Sequence, residues 1–375
     1  MIEPLPTRHD NATTRSMGIA YVVFARPSVD KATAFLRDFG IDLLSRDERG
    51  AHYGSTARQE TFYVVRQETK ARFVGLAMYV EAEADLRALI REGFAKEIEA
   101  EPAPNGHPYV RMTDLNGVEV HAVVRAPVAP KLESDAAAEG ETPNSPHRTG
   151  RVDEPFAAPH GVPRVARLGH AVMETTDLPN AVDWYQRVFG LLVSDVQVLP
   201  DGTPVVAFCR CDLGDQPTDH HTVALGQTFR TGFEHAAFEV ETIEAVTRGQ
   251  HHLRERGWKH SWGVGRHIMG SQVFDYWYDA YGAKHEHYAD GDIVTASYPM
   301  GRSPFGPAHL AQWGPPMPAN FIGGPPSAKV LVDLVRFAAS RKLPLSRLVD
   351  LIKAAKFSER RIGNVEEKED RHAAR

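Results

Sequence analysis

The chain has 375 residues, 43 basic against 49 acidic, a net charge of −6 and a hydrophobic share of 42%. That length sets two domains as the expectation, and the acidic balance speaks against a general nucleic-acid binder. No apolar run approaches the roughly 18 residues of a membrane-spanning helix, and the first residues lack the basic and apolar regions of a secretory signal. The two cysteines, Cys209 and Cys211, lie on one strand face where no bridge fits. A reduced, cytoplasmic protein is expected, with the thiols packed or on the surface rather than clipping a metal.

Taken in order, residues 1–16 carry no periodicity and read as a disordered lead. A strand is expected over 17–24 and an amphipathic helix over 30–39, stopped by Gly40. Short strands follow, then a strand over 73–80, a helix over 84–92 ended by Gly93, and strands near 109–112 and 118–124. These close a first domain over 17–125. Residues 126–163 are rich in Pro, Ala, Glu, Ser and Thr and read as a linker. The pattern restarts over 164–292: a strand at 168–175, a helix at 179–189 stopped by Gly190, and strands at 205–211 and 221–225. A strand at 233–240, a helix at 243–256 and a final hairpin complete it. Val188-Phe189-Gly190 repeats Asp38-Phe39-Gly40, and residues 75–80 echo 235–240. Four copies of a strand–helix–strands unit, two per domain, are expected in an α+β fold. A Pro/Gly-rich segment over 293–326 precedes a helical extension and charged tail over 327–375. Helices are expected there at 327–341 and 345–356, with apolar faces suited to packing on the protein or a neighbouring subunit.

Residues 265–286 read as a loop holding His267, a strand carrying Tyr276, a tight turn at Gly282 and a second strand carrying Glu286. Alternate residues of paired strands share a face, so Tyr276 and Glu286 look into one cavity. His170 in Leu-Gly-His-Ala-Val and His235 in Phe-Glu-His-Ala-Ala-Phe sit at equivalent positions of the repeat. Two neutral imidazoles and one carboxylate leave open positions on a metal, as in the triad of non-haem Fe(II) oxygenases; zinc is the chemical rival. In the first domain Ala20 and Gly75 are expected at the two histidine positions and His121 opposite Glu286, which makes that domain scaffold. His285 and His287 should face away from the Glu286 side. His251, His252 and His260 should be solvated.

This pattern resembles the type I extradiol ring-cleavage dioxygenases of the vicinal oxygen chelate (glyoxalase/bleomycin resistance) superfamily. Tyr276 lies nine residues after His267, Glu286 ten after Tyr276, and His221 fourteen before His235, as in that family. The Phe274-Asp275-Tyr276-Trp277 run, residues 286–292 and residues 313–318 look most like the branch acting on 2,4,5-trihydroxytoluene. The resemblance covers about residues 17–318. It implies two vicinal-oxygen-chelate domains, each of paired βαβββ modules. It implies Fe(II) on His170, His235 and Glu286, with Mn(II) as the alternative ion and O2 as co-substrate. It implies a catecholic or trihydroxybenzene-type substrate, His221 as acid–base residue, and His267 and Tyr276 as hydrogen-bonding partners of the diol. A homo-oligomer is expected. His220, beside His221, leaves open which of the two points inward, and Arg266 is a candidate partner for an anionic ring substituent. The family's usual Asp-Pro is Asp279-Ala280 here, and position 172 is Val where some relatives have Asn, which bears on the substrate. The rival readings are a 4-hydroxyphenylpyruvate dioxygenase-like oxygenase, whose C-terminal signature is missing, and a non-catalytic binding protein, which would need no triad.

Overall fold

The structure is a computed structural model that describes residues 4–125 except 57 and 59, residues 160–318 and 321, and short pieces within 144–155 and 332–353. The first domain opens with β1 (Gly18–Arg26), α1 (Val29–Phe39), β2 (Asp42–Arg46), β3 (Gly50–Ser55) and β4 (Glu60–Gln67). Its second module is β5 (Arg72–Val80), α2 (Glu83–Arg91), β6 (Tyr109–Thr113) and β7 (Glu119–Val124). That module is one strand short: a single bridge between Ile98 and Val110 stands in for it. The sheet order is β2-β3-β4-β1-β5-β7-β6, so the modules join where β1 runs antiparallel to β5.

The second domain repeats the plan with β8 (Val165–Thr175), α3 (Leu178–Phe189), β9 (Leu192–Val198), β10 (Pro204–Arg210), β11 (Thr218–Asp219) and β12 (Val223–Gln227). There follow β13 (Gly232–Val240), α4 (Ile243–Glu255), β14 (Lys259–His267), β15 (Val273–Tyr278) and β16 (Lys284–Ala289). The segment beyond adds β17 (Ile293–Val294), β18 (Gly301–Pro304) and β19 (Ala311–Trp313). The expected Pro/Gly-rich coil is thus a strap: β18 pairs with β9 at one sheet edge and β19 with β14 at the other.

The helices form where the sequence places them. Ser28 caps α1 by accepting from the Lys31 N–H at 3.3 Å, and Gly40 ends it at φ +92°. A side chain at Gly40 would also run into the Pro163 carbonyl, 2.0 Å from where its Cβ would stand. Helices and the outer sheet faces share one large core. Cys209 and Cys211 are buried there, free and with pKa values raised by burial to about 12 and about 11, which decides for packing over the surface placement that the sequence leaves equally open. The concave face of the first sheet is filled by its own cluster, including Tyr21, Tyr79 and Tyr109, whereas that of the second is hollow.

Two expectations change, and a third is met with more detail. The lead is not disordered from Leu5 onward. Thr13, Thr14 and Ser16 donate backbone N–H bonds to the carbonyls of Arg187, Val188 and Phe189 at 2.7, 3.2 and 2.8 Å. A helix leaves its last carbonyls unpaired, and this polar segment satisfies those of α3. His285 and His287 do point away from the Glu286 side, but into the domain interface. His285 Nε2 lies 3.1 Å from the Tyr63 hydroxyl, and His287 Nε2 donates to the Phe39 carbonyl at 2.7 Å. His252 is buried on the inner side of α4, and His260 is held by Asp275 at 2.7 Å; only His251 is exposed. Most of the linker and of the C-terminal helices lies outside the described residues; positions 332–335 are helical. Among the described residues no helix is long and apolar enough to cross a membrane.

Candidate metal centre

Strand register brings the three ligand candidates together. On β13, Ala237 stands opposite His170 of β8 on one side and Glu286 of β16 on the other, and His235 lies two residues along the same face. Ala237 is small, which leaves room between its neighbours. One atom from each of His170, His235 and Glu286 falls within 4.8 Å of the others, and all three residues are buried. His235 Nε2 and His170 Nε2 stand 3.2 and 3.4 Å from Glu286 Oε2. Burial alone would raise the Glu286 carboxyl, but the imidazoles of His170, His235 and His267 outweigh it and hold it well below the ordinary range. Burial lowers His170, which keeps its ring neutral.

Both Glu286 oxygens and His235 Nε2 are nonetheless buried without an aligned hydrogen-bond partner. Lone pairs left this way are costly unless something positive completes them, and a divalent cation at their meeting point does so. The ligand set therefore fits a metal ion. His235 is steadied from behind: its Nδ1 bonds Glu234, which pairs with Lys284, whose ammonium also donates to the Phe321 carbonyl at 2.9 Å.

His170 and His235, with Glu286 buried beside them, line a cavity of about 130 Å3 that His221, His267 and Tyr276 also line. His267 lies at the end of β14 rather than in a loop, because pairing with β15 and β19 keeps the chain extended. Its Nδ1 donates to the Leu310 carbonyl at 3.0 Å and its Nε2 is 2.9 Å from the Tyr276 hydroxyl. Burial, and then Glu286, raise the Tyr276 phenol well above its ordinary pKa. His221 lies two residues before β12, which begins at Val223 rather than at 221 as expected, and its ring lies 4.1 Å from that of His170. Burial, with His170 and His220 nearby, lowers it well below the ordinary imidazole value. Of the two adjacent histidines, His221 lines the cavity and His220 stands behind it.

Residues 167–286 match the Glyoxalase/Bleomycin resistance protein/Dioxygenase superfamily. The chain carries that superfamily's fold. Metapyrocatechase 2 of Cupriavidus necator is 26% identical over 297 residues, 79% of this chain and 88% of that protein. Homoprotocatechuate 2,3-dioxygenase from Arthrobacter globiformis superposes with TM-score 0.68 at 18% identity, over 85% of this chain and 94% of its own. The Mn(II)-bound glyoxalase from Novosphingobium aromaticivorans does so with TM-score 0.64 at 20% identity, over 84% and 96%. Structural likeness at such identities speaks for the fold alone, and the chemistry is argued from the side chains.

Among the described residues, the first sheet carries no such centre. The residue equivalent to His170 is Tyr21, not Ala20, since Tyr21 stands opposite Ala77 as His170 stands opposite Ala237. Gly75 and His121 hold the places of His235 and Glu286 as expected. Tyr21 and His121 bond each other at 2.8 Å, which closes the space a metal would take. Arg266 is also corrected: it faces out, donating to the Ser271 carbonyl at 2.6 Å and to Asp290 at 2.7 Å. Its neighbour His267 takes the inward face, as alternation requires. Sequence reasoning missed Glu234, although it adjoins a ligand in the chain. It also missed Phe321, which reaches the cavity from the strap and has no periodic signal.

Proposed function

We propose that the chain is a ring-cleavage dioxygenase that holds one Fe(II) on His170, His235 and Glu286 and opens a catecholic or trihydroxybenzene-type ring with O2. The observation that carries this reading is the convergence of one buried atom from each of His170, His235 and Glu286 within 4.8 Å, beside a cavity that His170 and His235 line together with His221, His267 and Tyr276. The metal, when bound, supplies a Lewis-acid centre that acidifies the diol and brings O2 alongside it. The chain's own residues do the rest. His221 accepts a substrate proton and returns it as the ring opens. His267 and Tyr276, coupled at 2.9 Å, hold a diol oxygen by hydrogen bonds. Both atoms of O2 enter the product.

The walls support a particular substrate class. Val172, Phe208, Trp262, Met269, Phe305 and Phe321 surround the ring's place, and among the described residues no Lys or Arg lines the cavity. Its two further carboxylates, Glu174 and Glu234, are tied to Arg230 and Lys284. This favours a ring with a small uncharged substituent, such as 2,4,5-trihydroxytoluene or a methylcatechol, over a carboxylated one.

Protein loaded anaerobically with Fe(II) should hold about one ion per chain. It should consume O2 with 4-methylcatechol or 2,4,5-trihydroxytoluene, and Glu286→Ala should lose both properties. Full metal occupancy in that variant would remove the ligand assignment, and greater activity after Mn(II) loading would name the other ion. Turnover of 3,4-dihydroxybenzoate should be at least about tenfold less efficient than that of 4-methylcatechol, because an unpaired carboxylate is costly to bury.

A further inference from the structure

Behind His221 runs a hydrogen-bonded chain that this chemistry has not used. His221 Nδ1 lies 3.1 Å from His220 Nδ1, and His220 Nε2 lies 2.6 Å from Asp195 Oδ2 on β9. Both imidazoles are buried, and Asp195 is 14% exposed at its side chain. The backbone of His220 is pinned on both sides. Its carbonyl accepts from the Ser194 hydroxyl at 2.6 Å and its N–H donates to the Asp292 carbonyl at 3.0 Å. Neither ring can leave the chain without breaking these bonds.

An ionised carboxylate only accepts hydrogen bonds. Asp195 therefore takes the hydrogen on His220 Nε2, and a neutral His220 keeps a lone pair on Nδ1. Two nitrogens 3.1 Å apart need one hydrogen between them, so His221 supplies it from its own Nδ1. His221 Nε2 is then bare, on a ring that lines the cavity. We propose that Asp195 and His220 are positioning residues that fix this tautomer, so that His221 meets the substrate as an acceptor. The inference rests on His221 being the acid–base residue.

The test uses Fe(II)-loaded full-length variants at pH 8, where an ordinary imidazole is neutral. Asp195→Asn keeps the shape but can donate from its amide, which frees His220 to reverse both tautomers. Its kcat should fall about tenfold to hundredfold, as expected for a misplaced imidazole hydrogen, with iron content and anaerobic Kd for 4-methylcatechol within about twofold of wild type. His220→Leu should fall likewise. His220→Asn, whose amide oxygen stands near the former Nδ1, should recover most of the rate and make Asp195→Asn nearly silent in its background. Lost packing would not produce that coupling. Wild-type kcat in both Asp195→Asn and His220→Leu, with His221→Gln disabled, would overturn the inference. Wild-type kcat in His221→Gln would instead remove the acid–base reading beneath it.

Discussion

Two adjacent histidines hold different positions in this protein because the turn into β12 lets only one of them reach the cavity. His221 touches His170 without being among the metal-holding atoms, so its removal should leave the metal in place. His221→Phe is expected to keep its iron and its catechol affinity while ring cleavage slows by about 10²–10⁴, the usual worth of a placed proton-transfer group. Oxygen uptake and iron analysis on the same preparation check this. Metal loss in the variant would instead make His221 a ligand. Sequence spacing located this residue, but not its relation to His220. Both are buried, and the choice between them depends on loop geometry that strand periodicity does not encode.

At the scale of elements, the strap over 293–321 gives the cavity one wall. Phe321 stands at 5.0 Å from the rings of Trp262 and Tyr276, and the Lys284 ammonium lies 3.7 Å above it. Phe321→Ala should raise KM for 4-methylcatechol about tenfold, as the loss of apolar contact surface implies, while bound iron is retained. Steady-state oxygen consumption with metal analysis separates the two. The strap was legible only as a Pro/Gly-rich run, because its short strands borrow their order from the edges they join. The repeated modules, by contrast, were legible from their periodicity and their glycine stops. The misplaced residue in the first domain has a local cause. Both β1 and β8 skip one residue against their partners at the same place, Ala20 between Ile19 and Tyr21 and Gly169 between Leu168 and His170. The two strands match without a gap, and the pairing, which the sequence does not show, is what aligns them. Tyr21, not Ala20, therefore falls on the cup side.

For the whole molecule, the domain interface carries buried charge and buried imidazoles. Arg26 of β1 reaches Asp279 beyond β15 at 2.7 Å, with side chains 2% and 5% exposed. Arg26→Leu should cost about 3–5 kcal/mol by leaving Asp279 buried and unpaired, and Arg26→Leu with Asp279→Leu should recover much of it. Urea unfolding of the three proteins measures this. Burial lowers His285 and His287 to about 4. An unfolded imidazole takes up its proton near pH 6.5, so between about 6.5 and 4 the unfolded state binds more protons and stability falls as pH drops. A cation beside Glu286 acts in the same direction. The thermal midpoint should decline from pH 7 toward pH 4.5, and more gently in His285→Phe; a flat profile in wild type would show that these imidazoles titrate normally.

The filled cup of the first domain has a consequence for where a metal can be held. Two of its three changes, at Tyr21 and His121, are exchanges of one side chain for another. Gly75 is different: a Cβ there would stand 1.8 Å from the backbone oxygen of Glu119 and 2.7 Å from its carbonyl carbon. At the place where β13 carries His235, β5 has no room for a side chain beside β7. A ligand at position 75 therefore requires the strand to shift before it can be accommodated. Any metal chemistry of this fold is thereby confined to the second sheet.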